Sequence, residues 1–330
     1  MTEPSSILVY VGLDAVGDGL MKLPFVRALR AAFPAAHITW MAGKGHSVYA
    51  GSLAPLVTGL IDEVLDDAGI GSRAVELIGR RPLAGRAFDL VIDTQRRVLT
   101  TLILRRLSHR RFVSAAADFL LSDVKPAAWR KPPSMVAQMM ALVELASGRP
   151  VQAGAPLPRD VSAEGEADAL LPAGPCYVGF APGAGGRHKC WPLERFIAVA
   201  RGQAALGRVP VFLLGPNEAG WADAIRAAFP DALLPLQAAV SPTPVLTIAL
   251  ARRLTAAVAN DSGTGHMLAA ADAPLVSLFG PTPPEKFAPA TSRLAILRAQ
   301  DWGGASMDLI PAEAVADALE PFFDPVSGSG

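Results

Sequence analysis

Thr255-Ala256-Ala257-Val258-Ala259-Asn260-Asp261-Ser262-Gly263-Thr264-Gly265-His266-Met267-Leu268-Ala269-Ala270-Ala271 holds in one run an apolar strand, a turn of small polar residues and the start of an alanine-rich helix. A segment as apolar as 255–259 reads as a strand covered on both faces, the habit of parallel sheets. The small residues of the turn bring a helix N-terminus, with its unpaired N–H groups and partial positive charge, up to whatever lies beyond the strand. The same unit recurs along the chain. Strand-like 7–11 precedes a helical pattern over 20–32, followed by strand-like 37–41 and 88–93. The alternation restarts with strand 177–181, helix 193–206, strand 209–214, helix 221–229 and strands 275–279 and 294–297. Such βαβ units build an α/β fold with parallel sheets.

A chain of 330 residues is about twice a typical domain, which with the restart implies two domains, 1–160 and 161–310. A C-terminal segment, 311–330, follows: a helix over 311–323, free to pack back toward the first domain, and a disordered tail from 326. Between the domains, 148–174 carries four prolines and the acidic Glu164, Glu166 and Asp168, which reads as a linker with one short helix. The phrase Arg30-Ala31-Ala32-Phe33-Pro34 returns as Arg226-Ala227-Ala228-Phe229-Pro230, each time ending a helix.

Composition narrows the function. With 51% hydrophobic and 18% charged residues, disorder is excluded. The longest charge-poor stretch, 47–61, is broken by Gly51, Pro55 and Gly59, so no membrane span is expected. The first residues lead into strand 7–11 without a basic segment, so no signal peptide is read and a cytoplasmic location is expected. Cys176 and Cys190 are too few for a disulfide framework or a zinc knuckle. Residues 1–150 hold 18 Lys and Arg against 13 Asp and Glu, leaving 12 against 17, so a net +5 faces a net −5. Arg96, Arg97, Arg105, Arg106, Arg110, Arg111, Lys125, Arg130 and Lys131 make up much of the excess, which either favours an anionic partner or is a solvated face.

Four loops after strands carry the candidate chemistry. In 13–19, glycines flank Asp18, which either acts as a general base or caps the helix that follows. In 181–192, Gly183, Gly185 and Gly186 expose backbone N–H groups and Lys189 adds a mobile positive charge. That combination suits phosphate but matches no Walker A pattern. In 260–266, Asp261, Ser262, Gly263, Thr264 and His266 stand before a helix N-terminus. The run Phe279-Gly280-Pro281-Thr282-Pro283-Pro284 reads as a rigid loop wall, too rich in proline for helix.

Taken in order, Gly17-Asp18, Lys189-Cys190-Trp191-Pro192, Gly215-Pro216-Asn217-Glu218, Asp261-Ser262-Gly263-Thr264-Gly265-His266 and Leu278-Phe279-Gly280-Pro281-Thr282 resemble glycosyltransferase family 9, the lipopolysaccharide heptosyltransferases. The resemblance implies a GT-B fold, with two Rossmann-like domains whose parallel sheets face a central cleft. It implies inverting transfer of a heptose from ADP-L-glycero-β-D-manno-heptose to the lipopolysaccharide inner core. In that reading Asp18 is the catalytic base, Lys189 contacts the donor phosphates, Glu218 lies near the ribose, and Asp261, Gly263 and His266 belong to the donor loop. Asp93, Gln95, Arg96 and Arg97 fall on the acceptor side, where Arg96 departs from an Asp-x-Gln-Gly run common in the family.

The expected partners are a nucleotide-sugar donor, ADP-linked by the same resemblance, and an anionic glycolipid met at the cytoplasmic face of the inner membrane; no nucleic acid, cofactor or metal is expected. Charge on the leaving diphosphate falls to Lys189 and the helix N-terminus at 263–266, since no Asp-x-Asp motif appears. A sugar-nucleotide epimerase of the same fold and a non-catalytic sugar-nucleotide-binding protein are the alternatives. An NAD-dependent oxidoreductase lacks its glycine fingerprint here.

Overall fold

A computed structural model describes residues 3–152 and 157–324, so the tail expected to be disordered from 326 lies outside the described residues. The chain divides into two compact units, 1–158 and 159–330.

The first unit contains β1 (Ser6–Val11), α1 (Val16–Ala32), β2 (His37–Ala42), β3 (Glu63–Leu65), β4 (Ala87–Asp93), α2 (Val98–Leu104), β5 (Ser108–Ser114) and α3 (Met135–Ser147). Its sheet is all parallel in the order β3-β2-β1-β4-β5. Ile7, Leu8, Val9 and Val11 are fully buried because β1 is central and covered on both faces. The helices α1 and α3 pack against each other on this unit.

The second unit contains α4 (Val161–Leu170), β6 (Tyr177–Ala181), α5 (Leu193–Ala205), β7 (Val209–Phe212), α6 (Ala222–Ala228), α7 (Pro235–Ala238), α8 (Pro244–Ala251), β8 (Leu254–Asn260), α9 (Gly263–Ala270), β9 (Leu275–Phe279), α10 (Pro284–Phe287), β10 (Leu294–Arg298) and α11 (Ala312–Leu319). Its sheet runs β10-β9-β8-β6-β7, again all parallel. Outside β7 a single residue, Leu233, adds a bridge to Val211, with Phe212 N–H donating to Leu233 O (2.8 Å) and Leu233 N–H to Pro210 O (3.1 Å). Counting that bridge as a strand gives the Rossmann order 3-2-1-4-5-6. Both halves are therefore the Rossmann-like units expected from the alternation and the resemblance.

The short helix expected within 148–174 is α4, which packs on α8 with Ala163, Ala167 and Leu171 buried. Two readings are corrected. The C-terminal helix α11 belongs to the core of the second unit, lying on α5, β8 and β9 with Val315 and Leu319 fully buried. Pro284 opens the short helix α10 in a run expected to be loop; proline is tolerated in a first helical turn. The repeated phrase closes α1 and α6 alike, Phe33 N–H donating to Leu29 O and Phe229 N–H to Ile225 O, with both phenylalanines forced extended before proline.

Candidate active site

In the second unit the direction of strand addition reverses between β6 and β8, and the loops after these two strands part to leave a crevice at their carboxyl ends. Asn260, the fully buried last residue of β8, ties the loop after β6 at both its ends. Its Nδ2 donates to Pro182 O (2.7 Å), and its Oδ1 accepts from the Trp191 N–H (3.1 Å). Trp191 is itself buried, with its indole N–H on Ile310 O (2.9 Å) and its ring edge-on to Phe196. The glycine loop thus has fixed ends and an open middle: no atom lies within 4 Å of a Cβ built on Gly185.

Lys189 closes a short turn, Arg187–Lys189, and its Nζ lies 3.0 Å from Asp261 Oδ2. The same carboxylate oxygen accepts from Thr282 Oγ1 at 2.6 Å, which joins the proline-rich wall to the donor loop. Ser262 caps α9, its Oγ accepting from the Gly265 N–H (3.2 Å), while the His266 N–H donates to Ser262 O (3.2 Å). The amides of Gly263 and Thr264 take no acceptor among the described residues. A Cβ on Gly265 would lie 3.0 Å from Asn260 O, so that glycine serves packing, whereas one on Gly263 would meet nothing within 4 Å. The space before the α9 N-terminus is open to an anion.

Glu218 follows β7, the second strand of the unit, where Rossmann folds carry the acidic residue that meets a ribose. A Cβ on Gly183 would stand 2.5 Å from its Cδ, and one on Gly215 2.7 Å from its Oε2, so the carboxylate lies between two glycine loops. Burial pushes its pKa up, against the pull of the Glu218 and Gly215 backbone amides. At Gly186 an added Cβ would strike the His188 ring at 2.8 Å. Cys190 donates to Gly186 O (3.6 Å), and burial raises its thiol pKa.

In the first unit the reversal falls between β1 and β4. The loop after β1 is fixed by Asp14, which is buried and pairs with Lys22 (2.7 Å) while accepting from Trp40 Nε1 (3.0 Å) and Ser47 Oγ (2.7 Å). Sequence reasoning did not assign this network. Ala15 occupies the cap position of α1 with no side-chain bond, and Asp18 lies in the first turn, half-buried, its carboxylate without a partner among the described residues. Asp18 is therefore no cap. Charge and the helix N-terminus still attract one another there.

The acceptor-side group divides. Gln95 lies over Gly12, where an added Cβ would sit 3.0 Å from its Oε1, and so borders the loop that leads to Asp18. Asp93 does not face an acceptor: it is fully buried and accepts from Gln95 N–H (2.8 Å), Thr101 Oγ1 (2.6 Å) and Ser114 Oγ (2.9 Å). Desolvation raises its pKa to about 6, with those three donors opposing the rise. Arg97 is exposed, and Arg96 pairs with Asp118 (3.3 Å), the middle of three successive left-handed residues, Ala117, Asp118 and Phe119. The nine-residue basic excess is also divided: Arg105 pairs with Asp123, Arg110 with Asp89, and Arg106 holds the carbonyls of Glu76 and Gly79.

The family model Glycosyltransferase family 9 (heptosyltransferase) matches residues 79–309, a span that includes Lys189, Glu218 and the 260–266 loop and leaves Asp18 outside. A lipooligosaccharide heptosyltransferase 2 of Haemophilus influenzae is 32% identical over 124 residues, 37% of this chain and 36% of that protein, so the match spans about a third of the relative's length. Among solved structures, the family 9 glycosyl transferase of Veillonella parvula superposes with a TM-score of 0.74 at 20% identity, over 96% of this chain and 97% of that one. The E. coli heptosyltransferase WaaC with ADP gives 0.68 at 19% identity, over 96% and 99%. At these identities the superpositions establish the fold, and the family match covers well over half of the sequence. On that match, and with two Rossmann-like units underneath it, the chain belongs to glycosyltransferase family 9, the heptosyltransferase family.

Proposed function

We propose that this chain transfers a heptose from an ADP-linked donor to an anionic glycolipid acceptor, the lipopolysaccharide inner core, with inversion at the anomeric carbon. The observation that carries the reading is the Lys189–Asp261–Thr282 cluster beside the open N-terminus of α9, at the reversal point of the second sheet. A departing diphosphate gains charge as its bond to the sugar breaks, and an ammonium with two unpartnered amides suits that charge. Asp261 holds the ammonium in place. Glu218 accepts from a ribose hydroxyl, as the acidic residue after a second Rossmann strand does. A WaaC structure with ADP and a lipooligosaccharide heptosyltransferase among the relatives support the nucleotide and the acceptor class.

In the transfer itself the acceptor oxygen bonds to the anomeric carbon, the bond to the ADP oxygen breaks with its electron pair, and the hydroxyl proton passes to Asp18. A carboxylate without a partner among the described residues is suited to that step. The test is a thermal-shift series with ADP, UDP, GDP and NAD, each with and without chelator, followed by transfer assays. A chelator-insensitive preference for ADP is expected. Lys189→Met should cost about 3 kcal/mol, roughly a hundredfold in rate. Asp18→Asn should abolish turnover and keep ADP affinity. Stabilisation by UDP or GDP alone, or near-normal turnover of Asp18→Asn, would overturn the assignment.

A further inference from the structure

No helix among the described residues is long and apolar enough to cross a membrane, yet the acceptor class just proposed is lipid-anchored. The carboxyl edge of the first sheet offers a surface that meets this need. A short turn, Ala74–Leu77, lies along α2: Thr100 Oγ1 donates to Gly71 O (2.7 Å), and the Arg106 guanidinium holds the carbonyls of Glu76 and Gly79. On these two neighbouring elements large apolar side chains stand in solvent. Val75 is 59% and Ile78 87% exposed beside the turn, and Val98 is 47% and Leu102 39% exposed one helical turn apart on α2. Thr100, Thr101, Ile103 and Leu104 fill the buried side of α2, so Val98 and Leu102 have no core to join.

The rim of this patch is cationic. Arg80, Arg81 and Arg97 are exposed, and none has a carboxylate or carbonyl partner among the described residues. Arg73 is also exposed and shares Glu76 with the backbone amides of Gly71, Ser72 and Arg73. An apolar centre rimmed by arginines, three of them without an ion-pair partner among the described residues, is poorly matched to water and well matched to the interface of an anionic bilayer, where apolar side chains enter the headgroup region and arginines meet phosphate. The patch also adjoins the loop that presents Gln95, Arg96 and Arg97.

We propose that Val75, Ile78, Val98 and Leu102, rimmed by Arg73, Arg80, Arg81 and Arg97, form a docking surface for an anionic membrane. This rests on the glycolipid reading only for its purpose, since the binding can be measured without any transfer. The experiment is co-sedimentation of the full chain with phosphatidylglycerol-containing vesicles and with pure phosphatidylcholine vesicles, at low and high salt. Binding to the anionic vesicles that falls with salt is expected. Each arginine near the surface contributes about fivefold to partitioning, so the double variant Arg80→Glu/Arg81→Glu should lose well over tenfold. Ile78→Asp should weaken binding that salt does not restore.

Val240→Asp, on the second unit and 96% exposed, serves as the control and should bind as the unaltered chain does. Thermal melting confirms that each variant is folded. Binding by the Arg80/Arg81 and Ile78 variants as strong as that of the unaltered chain, or an unaltered chain that stays in the supernatant with anionic vesicles, would overturn the proposal. Transfer to a delipidated, soluble acceptor separates the two readings: with docking lost it should persist in the Ile78→Asp variant, whereas its absence from the unaltered chain would fault the activity and leave the docking result standing.

Discussion

Replacing Asn260 with alanine tests whether one buried amide holds the phosphate loop. The side chain makes two bonds, to Pro182 O at 2.7 Å and from Trp191 N–H at 3.1 Å, and is fully buried. Alanine removes both and leaves a buried carbonyl and a buried amide without partners. Each orphan costs about 1–3 kcal/mol, so about 2–6 kcal/mol of the second unit's stability is at stake. For a unit of this size that lowers Tm by roughly 4–24 °C. The assay is calorimetry of the full chain, read on the transition of the second unit, with ADP titration on the folded variant. Lys189→Met is the internal contrast, because a partly exposed ion pair contributes only about 0–1 kcal/mol. Alanine at 260 should therefore destabilise far more than methionine at 189, while both weaken ADP binding. An Asn260→Ala protein melting within about 1 °C of the unaltered chain would refute the claim that this amide braces the loop.

Two further expectations rest on geometry and on titration. In Gly183→Ala the new Cβ would lie 2.5 Å from Glu218 Cδ, at the end of a side chain that can swing away, so stability should change little while ADP Kd rises roughly tenfold, about 1.4 kcal/mol, measured by calorimetric titration; an unchanged Kd would detach Glu218 from the nucleotide. Asp93 titrates near 6 in the fold, above its ordinary value of 3.8, so the folded chain binds that proton more tightly than the unfolded chain. Its contribution is thus complete below about pH 4 and is lost as pH rises toward 6, a difference of up to about 3 kcal/mol. Asp93→Asn does not titrate, so its stability relative to the unaltered chain should climb between those limits in urea melts. A flat difference would mean that Asp93 is not raised.

The sequence resolves β1, β8 and β9 because burial on both faces keeps them predominantly apolar, with Ser6, Thr255, Asn260 and Ser277 as their few polar positions. It reads α1 from Leu20 and α9 from Met267, each four residues late. Glycine beside Asp or Ser looks like loop, yet a first helical turn needs no internal N–H partner and accepts such residues. β5 hides because His109, Arg110 and Arg111 occupy its first half, and β3 has only three residues. Asp93 misleads because the end of a strand suggests exposure, whereas its side chain turns inward to Thr101 and Ser114. Contacts such as Thr282 on Asp261 or Asn260 on Pro182 join residues far apart in the chain, and no local pattern records them. Asn260 carried one legible signal, a polar residue ending an apolar strand, since a buried amide must find partners.

The single-residue bridge at Leu233 has a cause in composition. Backbone groups of Pro210 and Phe212 point outward from β7, and Leu233 takes the Pro210 carbonyl and the Phe212 amide. A longer neighbour would next require an amide from residue 210, which proline does not have. The sheet therefore stops at this border for want of a donor, and a copy of the same polypeptide arriving alongside finds no continuous ladder to extend.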